Sequence, residues 1–269
     1  MPNYNHSLPA EIHSAQAETG QIQSVDVVLV SPRNPLNIGA IARAMANFGF
    51  AHLSVVAPYE PHWREARSAV GADALLENAK RTESLAEAVA HCTLVMGTGT
   101  LTHRKPEQKI VQLPDLPPIV QSELARGGRV ALVFGPEKHG LTREDLSWCH
   151  LLVQIPTDPR QPSMNLGQAA AVCLYELAAR AVSTQDATPE AAADATAQQV
   201  AAPSANLDLL ATVIEETMLA ARYSPRSMQA ANRHDLRLLL RRLAPTQRDA
   251  RRILGLFRRI LWRIKQNPK

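Results

Sequence analysis

Five polar residues in three separate stretches have the types and the settings for chemistry on a hydroxyl group. Gly135, Pro136, Glu137 and Gly140 follow directly on the apolar run ValAlaLeuValPhe. That run reads as a buried strand, so a backbone-exposing loop and one carboxylate stand at its carboxyl end, where open α/β sheets bind ligands. Ser163 and Asn165 sit at the mouth of the helix that begins near Leu166. Asn165 with Gln168 also has the spacing of a capping box, and Ser163 suits a turn, so spacing alone leaves a structural role open for both. In the third stretch, AsnIleGlyAlaIleAlaArg, the helix is expected to start near Asn37 as its cap. Ile41, Met45 and Phe48 form its apolar stripe, which places Arg43 and Asn47 on another face. A lone helical arginine is usually a solvated surface residue.

The elements that must position these residues follow from the spacing of apolar runs. Ser24 to Val30 and His52 to Ala57 read as strands around the first helix, in the order of a βαβ unit. CysThrLeuValMetGly is another buried strand and ends in Gly97, Thr98, Gly99 and Thr100, small residues whose amides leave room for a ligand. SerLeuAlaGluAlaValAlaHis before it reads as helix, while Leu113 to Pro118, with three prolines, reads as a link. Val130 to Leu177 gives strand, glycine loop, short helix, strand, proline-rich loop and long helix. Trp63 suits packing and His62 the surface.

Several chemistries find no support. The chain has no GxGxxG after a strand, no GxxxxGK, no HExxH and no GxSxG, which removes the dinucleotide, nucleoside triphosphate, zinc-peptidase and serine-hydrolase signatures. Its nine histidines show no ligand spacing, so no metal site is expected. Cys92, Cys149 and Cys173 form no CxxC pair and read as reduced core residues of a cytoplasmic protein. Nowhere do 18 apolar residues run consecutively, so no membrane span is expected, and polar residues 1–23 read as a disordered lead-in without a signal peptide. Aromatic residues are 4% of the 269, too few for base stacking on rings to dominate any contact with RNA.

Charge divides the chain. Residues 222–269 carry 14 Lys or Arg against Asp235 and Asp249, whereas residues 1–221 carry 15 basic and 23 acidic residues. A basic helical tail beside an acidic α/β domain points to a polyanion, with nucleic acid first among them. Residues 181–205 are alanine-rich and lack apolar periodicity, which makes them a linker. Beyond it, helices are expected over Leu207 to Ala221, Arg233 to Leu243 and Gln247 to Gln266. Leu236, Leu239, Leu240 and Leu243 are expected to face inward on the second. Ile253, Leu256, Phe257, Ile260, Leu261 and Ile264 are expected to do so on the third. Arg241, Arg242, Arg251, Arg252, Arg258, Arg259 and Arg263 are left for the outside, where phosphate contacts would form.

Taken together, AsnIleGlyAlaIleAlaArg, PheGlyProGluLysHisGlyLeu and IleProThrAspProArgGlnProSerMetAsnLeuGlyGln resemble the three motifs of the SPOUT-class (SpoU-type) RNA ribose methyltransferases. The order of elements and the later chain resemble the TrmJ branch, which methylates a ribose in the tRNA anticodon loop. The resemblance covers residues 24–180 well and 206–266 more loosely. It implies an α/β domain with a parallel sheet and a trefoil knot over 24–180, and a C-terminal helical extension over 206–269. Composition alone would argue against a knot, since chains almost never thread their own loops.

The resemblance also implies S-adenosylmethionine as methyl donor, tRNA as substrate, nucleotide 32 as target and a homodimer as the working state. By the same resemblance Arg43, Asn37, Glu137, Ser163 and Asn165 surround the reacting hydroxyl, with Glu137 holding either Asn165 or Arg43. Thr98, Gly99, Thr100, Gly135, Ile155, Pro162, Ser163 and Met164 hold the donor. A guanidinium keeps its proton over the working range and is a poor base, so Arg43 suits binding of the neighbouring phosphate and of the developing oxyanion. The alternatives are the same reaction on ribosomal RNA, a knot protein that binds RNA without catalysis, or a helical DNA-binding module on an α/β domain.

Overall fold

A computed structural model describes residues 24–99, 106–183 and 200–266, with the backbone alone over 181–183. Residues 1–23, Thr100 and most of the linker lie outside the described residues. Seven strands form one sheet: β1 (Val25–Val30), β2 (His52–Val56), β3 (Lys80–Thr82), β4 (Leu94–Thr98), β5 (Lys109–Gln112), β6 (Val130–Phe134) and β7 (Leu151–Gln154). Their order is β3-β2-β1-β6-β4-β7-β5, and every pairing is parallel.

Parallel strands need long crossovers, and the helices that supply them cover both faces of the sheet. The central strands accordingly read as near-continuous apolar runs. On one face Val25, Val27, Leu29, Leu132 and Phe134 pack with Ile38, Ile41 and Met45 of α1 (Pro35–Asn47). The same layer holds Leu116 and Val120 of α4 (Leu116–Ala125) and Ala170, Cys173 and Leu174 of α6 (Leu166–Ser183). On the other face Val28, Val30, Val95 and Val133 meet Leu85 and Ala88 of α3 (Leu85–Ala88), together with Leu141, Trp148 and Cys149. Two short helices complete this domain, α2 (Asp73–Glu77) and α5 (Arg143–Ser147). Trp63 is buried and His62 exposed, as their sequence context suggests.

Four local expectations change. The first helix begins at Pro35 and its cap is Asn34, whose side chain accepts the Leu36 N–H at 3.0 Å. Proline suits the first helical position because its missing donor is an orphan there. The cap at Asn34 leaves the Asn37 side chain free of that duty. The stretch Leu113 to Pro118 is a 3₁₀ turn running into α4 rather than a plain link, and Pro117 and Pro118 occupy the first turn, where proline is tolerated. The strands β3 and β5 were not expected; both are short sheet edges with mostly exposed side chains, so they carry little apolar signal.

The C-terminal helices are α7 (Ser204–Ala220), α8 (Gln229–Leu243) and α9 (Gln247–Gln266). They share a core of Leu210, Ala211 and Leu240, with Leu236, Ile253 and Leu254 packed on it. On α8 the inward face is not the expected stripe. Leu238 and Leu240 are buried, while Leu239 and Leu243 are exposed, and Arg237 and Arg241 point inward. Arg241 therefore leaves the set of outward arginines. Packing of α8 against the α/β domain explains the shift, because Arg237 pairs with Glu144 of α5 and Arg241 donates to the carbonyl of Trp148, the residue that follows α5. On α9 Leu261 is buried, but Leu256 and Ile260 are exposed. Thr246 and Asp249 cap α9 by exchanging hydrogen bonds, as their spacing predicts. Among the described residues no helix is long and apolar enough to cross a membrane.

Candidate active site

The loops after β4, β6 and β7 meet at the carboxyl edge of the sheet around a cleft of about 270 Å³. Thr98 and Gly99 come from the first loop, Gly135 to Leu141 from the second, and Ile155, Thr157, Pro162, Ser163 and Met164 from the third. Every expected donor-binding residue except Thr100, which lies outside the described residues, lines this cleft. Lys138, His139, Gln154 and Thr157 line it as well and were not singled out from the sequence. Their position inside the same loops was the available signal.

The small residues at the rim are there because the backbone doubles back on itself. A Cβ placed on Gly135 would meet the backbone of Gly140 and the amide nitrogen of Leu141, and Gly140 itself has φ +63°. A Cβ on Gly97 would lie 2.8 Å from Cys149 Sγ and 3.0 Å from Leu141 Cδ1. The Thr98 hydroxyl is spent on the Val133 carbonyl at 3.0 Å, so it fixes the floor of the cleft. Thr157 Oγ1 reaches the Pro162 carbonyl at 3.3 Å and closes the third loop. Gly135→Ala is therefore expected to displace the turn at Gly140 and abolish binding of the methyl donor, which calorimetry with S-adenosylmethionine would measure; parental affinity would contradict this account.

Beside the cleft a chain of hydrogen bonds joins three of the expected residues. Glu137 Oε1 accepts from the Asn34 N–H and from Asn37 Nδ2, both at 3.0 Å, and Oε2 accepts from the Arg33 N–H at 3.1 Å. Asn37 Oδ1 then accepts from Asn165 Nδ2 at 3.1 Å. Asn165 Oδ1 finally takes the N–H groups of Gly167 and Gln168 at 2.9 and 3.3 Å, capping α6. One end of the Asn165 amide therefore caps α6, and the other donates to Asn37. Burial disfavours the charge on Glu137, but the hydrogen bonds from Asn37 and from the Arg33 and Asn34 backbone outweigh it and keep the carboxyl below its ordinary range. An ionised Glu137 is thus an organiser of Asn37 and, through it, Asn165; it does not hold Arg43.

Ser163 lines the cleft and is exposed. Arg43 does not line it. It lies six residues beyond Asn37 on α1, roughly 9 Å along the axis, and is exposed. Leu36, Val172 and Tyr175 on α1 and α6 are exposed too, and Tyr175 meets Phe48 edge-on at 5.8 Å.

Other reactive groups are accounted for elsewhere. Burial pushes the Cys149 and Cys173 thiols up to about 12, which keeps them protonated and unreactive. At the opposite edge of the sheet Asp26, His91 and Cys92 come within reach of one another. Asp26 already has a cation there, with Arg129 Nη2 at 3.2 Å and His91 Nε2 at 2.6 Å. Burial opposes its charge, yet the His91 hydrogen bond and the Arg129 charge hold the carboxyl below its usual range.

The profile of the SpoU rRNA Methylase family matches residues 24–175, which span the sheet and all three loops. The tRNA (cytidine/uridine-2′-O-)-methyltransferase TrmJ of Escherichia coli K12 is 31% identical over 92% of this chain and 98% of its own length. A tRNA (cytidine/uridine/adenosine-2′-O-)-methyltransferase TrmJ of Pseudomonas aeruginosa is 38% identical over 58% of this chain, a match that spans 61% of that relative. The crystal structure of TrmJ from Zymomonas mobilis superposes with a TM-score of 0.73 at 26% identity, covering 87% of this chain and 98% of that one. With the family match lying over the cleft and the E. coli relative aligned over 92% of the chain, the chain belongs to the SpoU methylase family, in its TrmJ branch.

Proposed function

We propose that the protein is an S-adenosylmethionine-dependent tRNA 2′-O-ribose methyltransferase, acting in the cytoplasm as a homodimer on nucleotide 32 of the anticodon loop. The observation that carries the reading is the convergence of three loops on one cleft with the Glu137–Asn37–Asn165 chain at its side. The glycine turn at Gly135 and Gly140 leaves backbone where side chains would otherwise stand, which fits a donor held by amides and carbonyls. Gly99, Gly135, Ile155 and the Pro162–Met164 backbone would hold it. S-adenosylmethionine supplies a methyl group on a cationic sulfur. The residues of this chain must bind and orient the ribose and accommodate charge on its oxygen as the proton leaves. Asn37, Asn165 and Ser163 present amide and hydroxyl groups for that purpose, and Arg43 supplies the positive charge. A trefoil arrangement of the second and third loops is the family's way of bringing them together.

The homodimer is supported by the exposed apolar residues Leu36, Val172 and Tyr175, which share the α1 and α6 surface with Arg43. A second copy laid on that surface would cover them and carry each Arg43 toward its neighbour's cleft. The tRNA assignment draws on the outer face of α9, where Arg251, Arg252, Arg258, Arg259 and Arg263 are all exposed. Arg251→Ala and Arg258→Ala should each reduce the slope of log affinity for tRNA against log salt by about 1, since one phosphate contact is lost. An unchanged slope would place the RNA elsewhere. Transfer of labelled methyl to total tRNA and to ribosomal RNA, followed by nucleoside mapping, tests the whole reading. Label confined to ribosomal RNA, or absent from both, would refute it.

A further inference from the structure

The helix α5 spans only five residues, yet it connects two of the three loops of the cleft. Upstream it continues from Gly135–Leu141, and downstream it passes through β7 to Ile155. So short a helix has no stability of its own, and its place is set by what it packs against. Its capping box, Thr142 with Asp145, shapes the first turn but does not anchor it to the domain.

The anchor comes from the C-terminal helices. Arg237 and Arg241, one turn apart on α8, are 9% and 2% exposed. Arg237 pairs with Glu144 in the first turn of α5, and its guanidinium lies 4.2 Å from the centre of the Trp148 ring. Arg241 stands 4.9 Å from the same ring, donates from Nε to the Trp148 carbonyl at 2.9 Å and from Nη2 to Ser204 Oγ at 2.9 Å. One guanidinium therefore holds the start of α5 and the other its end. Burial carries a cost, lowering Arg241 to about 10. It also keeps His150, the next residue but one after Trp148, neutral, with a pKa lowered to about 3. If adhesion between domains were the sole requirement, apolar side chains would supply it more cheaply than two buried cations. What the cations add is direction, because hydrogen bonds and ring contacts fix α5 in one orientation.

We propose that Arg237 and Arg241 are positioning residues for methyl transfer: by fixing α5 they hold the Gly135–Leu141 and Ile155–Met164 loops in the arrangement that binds S-adenosylmethionine. Cofactor affinity is then set partly by helices that never touch the cleft. The inference rests on the reading of the cleft as the donor site.

The test uses the full chain. Glu144→Gln removes the pair between Arg237 and α5 at a side chain that is 61% exposed, so it leaves no buried void, and it spares the pair of Arg237 with Asp208 on α7. Arg237→Lys keeps the charge and loses the planar contact with Trp148. Calorimetry with S-adenosylmethionine should show both variants weakened about tenfold, equivalent to about 1.4 kcal/mol. Amide hydrogen exchange over residues 136–148 should quicken, while tRNA affinity changes far less. Folded variants that bind S-adenosylmethionine with parental affinity, or that lose tRNA affinity to the same extent, would overturn the proposal. Should Arg237→Lys fail to fold, Glu144→Gln decides alone. Failure of the parent protein to bind S-adenosylmethionine would sink the donor-site reading beneath it. Parental affinity in the variants sinks the positioning role alone.

Discussion

Arg43→Ala should lower methyl transfer to tRNA by about 10²- to 10³-fold, the range seen when one donor to a developing oxyanion is removed. Its affinity for S-adenosylmethionine should remain nearly intact, because Arg43 lines no part of the cleft. A guanidinium offers five N–H donors and no acceptor, so it suits a role in which charge is received rather than a proton taken. Arg43→Lys should recover only part of the loss, since an ammonium lacks the planar fork. Where the arginine acts can be measured as well. Mixed dimers of Arg43→Ala and Gly135→Ala contain one intact site if each arginine serves the neighbouring cleft, and none if it serves its own. Recovery of activity on mixing is the expected result. Full activity in Arg43→Ala alone would remove its assigned role.

Glu137→Gln should lower kcat/KM by about ten- to a hundredfold, or about 1.4 to 2.7 kcal/mol. The carboxylate accepts three hydrogen bonds, from the Arg33 and Asn34 backbone and from Asn37. An amide in its place accepts through one oxygen only and turns its own donors toward others. Loss of one or two charge-assisted bonds accounts for the range, at the low end because the group is partly exposed. Asn37 would lose its fixed orientation, and Asn165, still held at the start of α6, would lose a fixed acceptor. Stability should respond to pH in a defined sense. The folded carboxyl titrates below its ordinary value of 4.5, so its contribution is complete above that value and is lost as pH falls through the lowered one. Denaturant midpoints of the parent and of Glu137→Gln should therefore lie far apart at neutral pH and converge in acid. A gap that stays constant would mean that Glu137 does not carry the charge assigned to it.

The buried strands and the three motif loops were legible because each leaves a local mark. Branched apolar runs ended by glycine marked β4 and β6, and the residues after them proved to line the cleft. What the chain could not disclose was partnership at long range. Glu137 lies 100 residues from Asn37, and Asn165 lies 128 from it, so no spacing rule connects them. The same limit hid the inward turn of Arg237 and Arg241. On α8 the leucine pattern suggested a purely apolar face, and cations read as outward until Trp148 and Glu144 were placed against them. Short edge strands such as β5 escaped for a different reason, because of its four residues Val111 alone is buried.

The sheet order also governs how the chain can be assembled. β6 lies between β1 and β4, although it is made after both. Until residues 130–134 emerge during synthesis, β1 has one unsatisfied side and β4 lacks its central neighbour, leaving backbone donors and acceptors open to other chains. Closure is a late, long-range event of the kind that slows folding. The strand whose end bears the Glu137 loop is thus the keystone that joins β1 to β4, and the cleft closes only when β7 and the loop after it have taken their places.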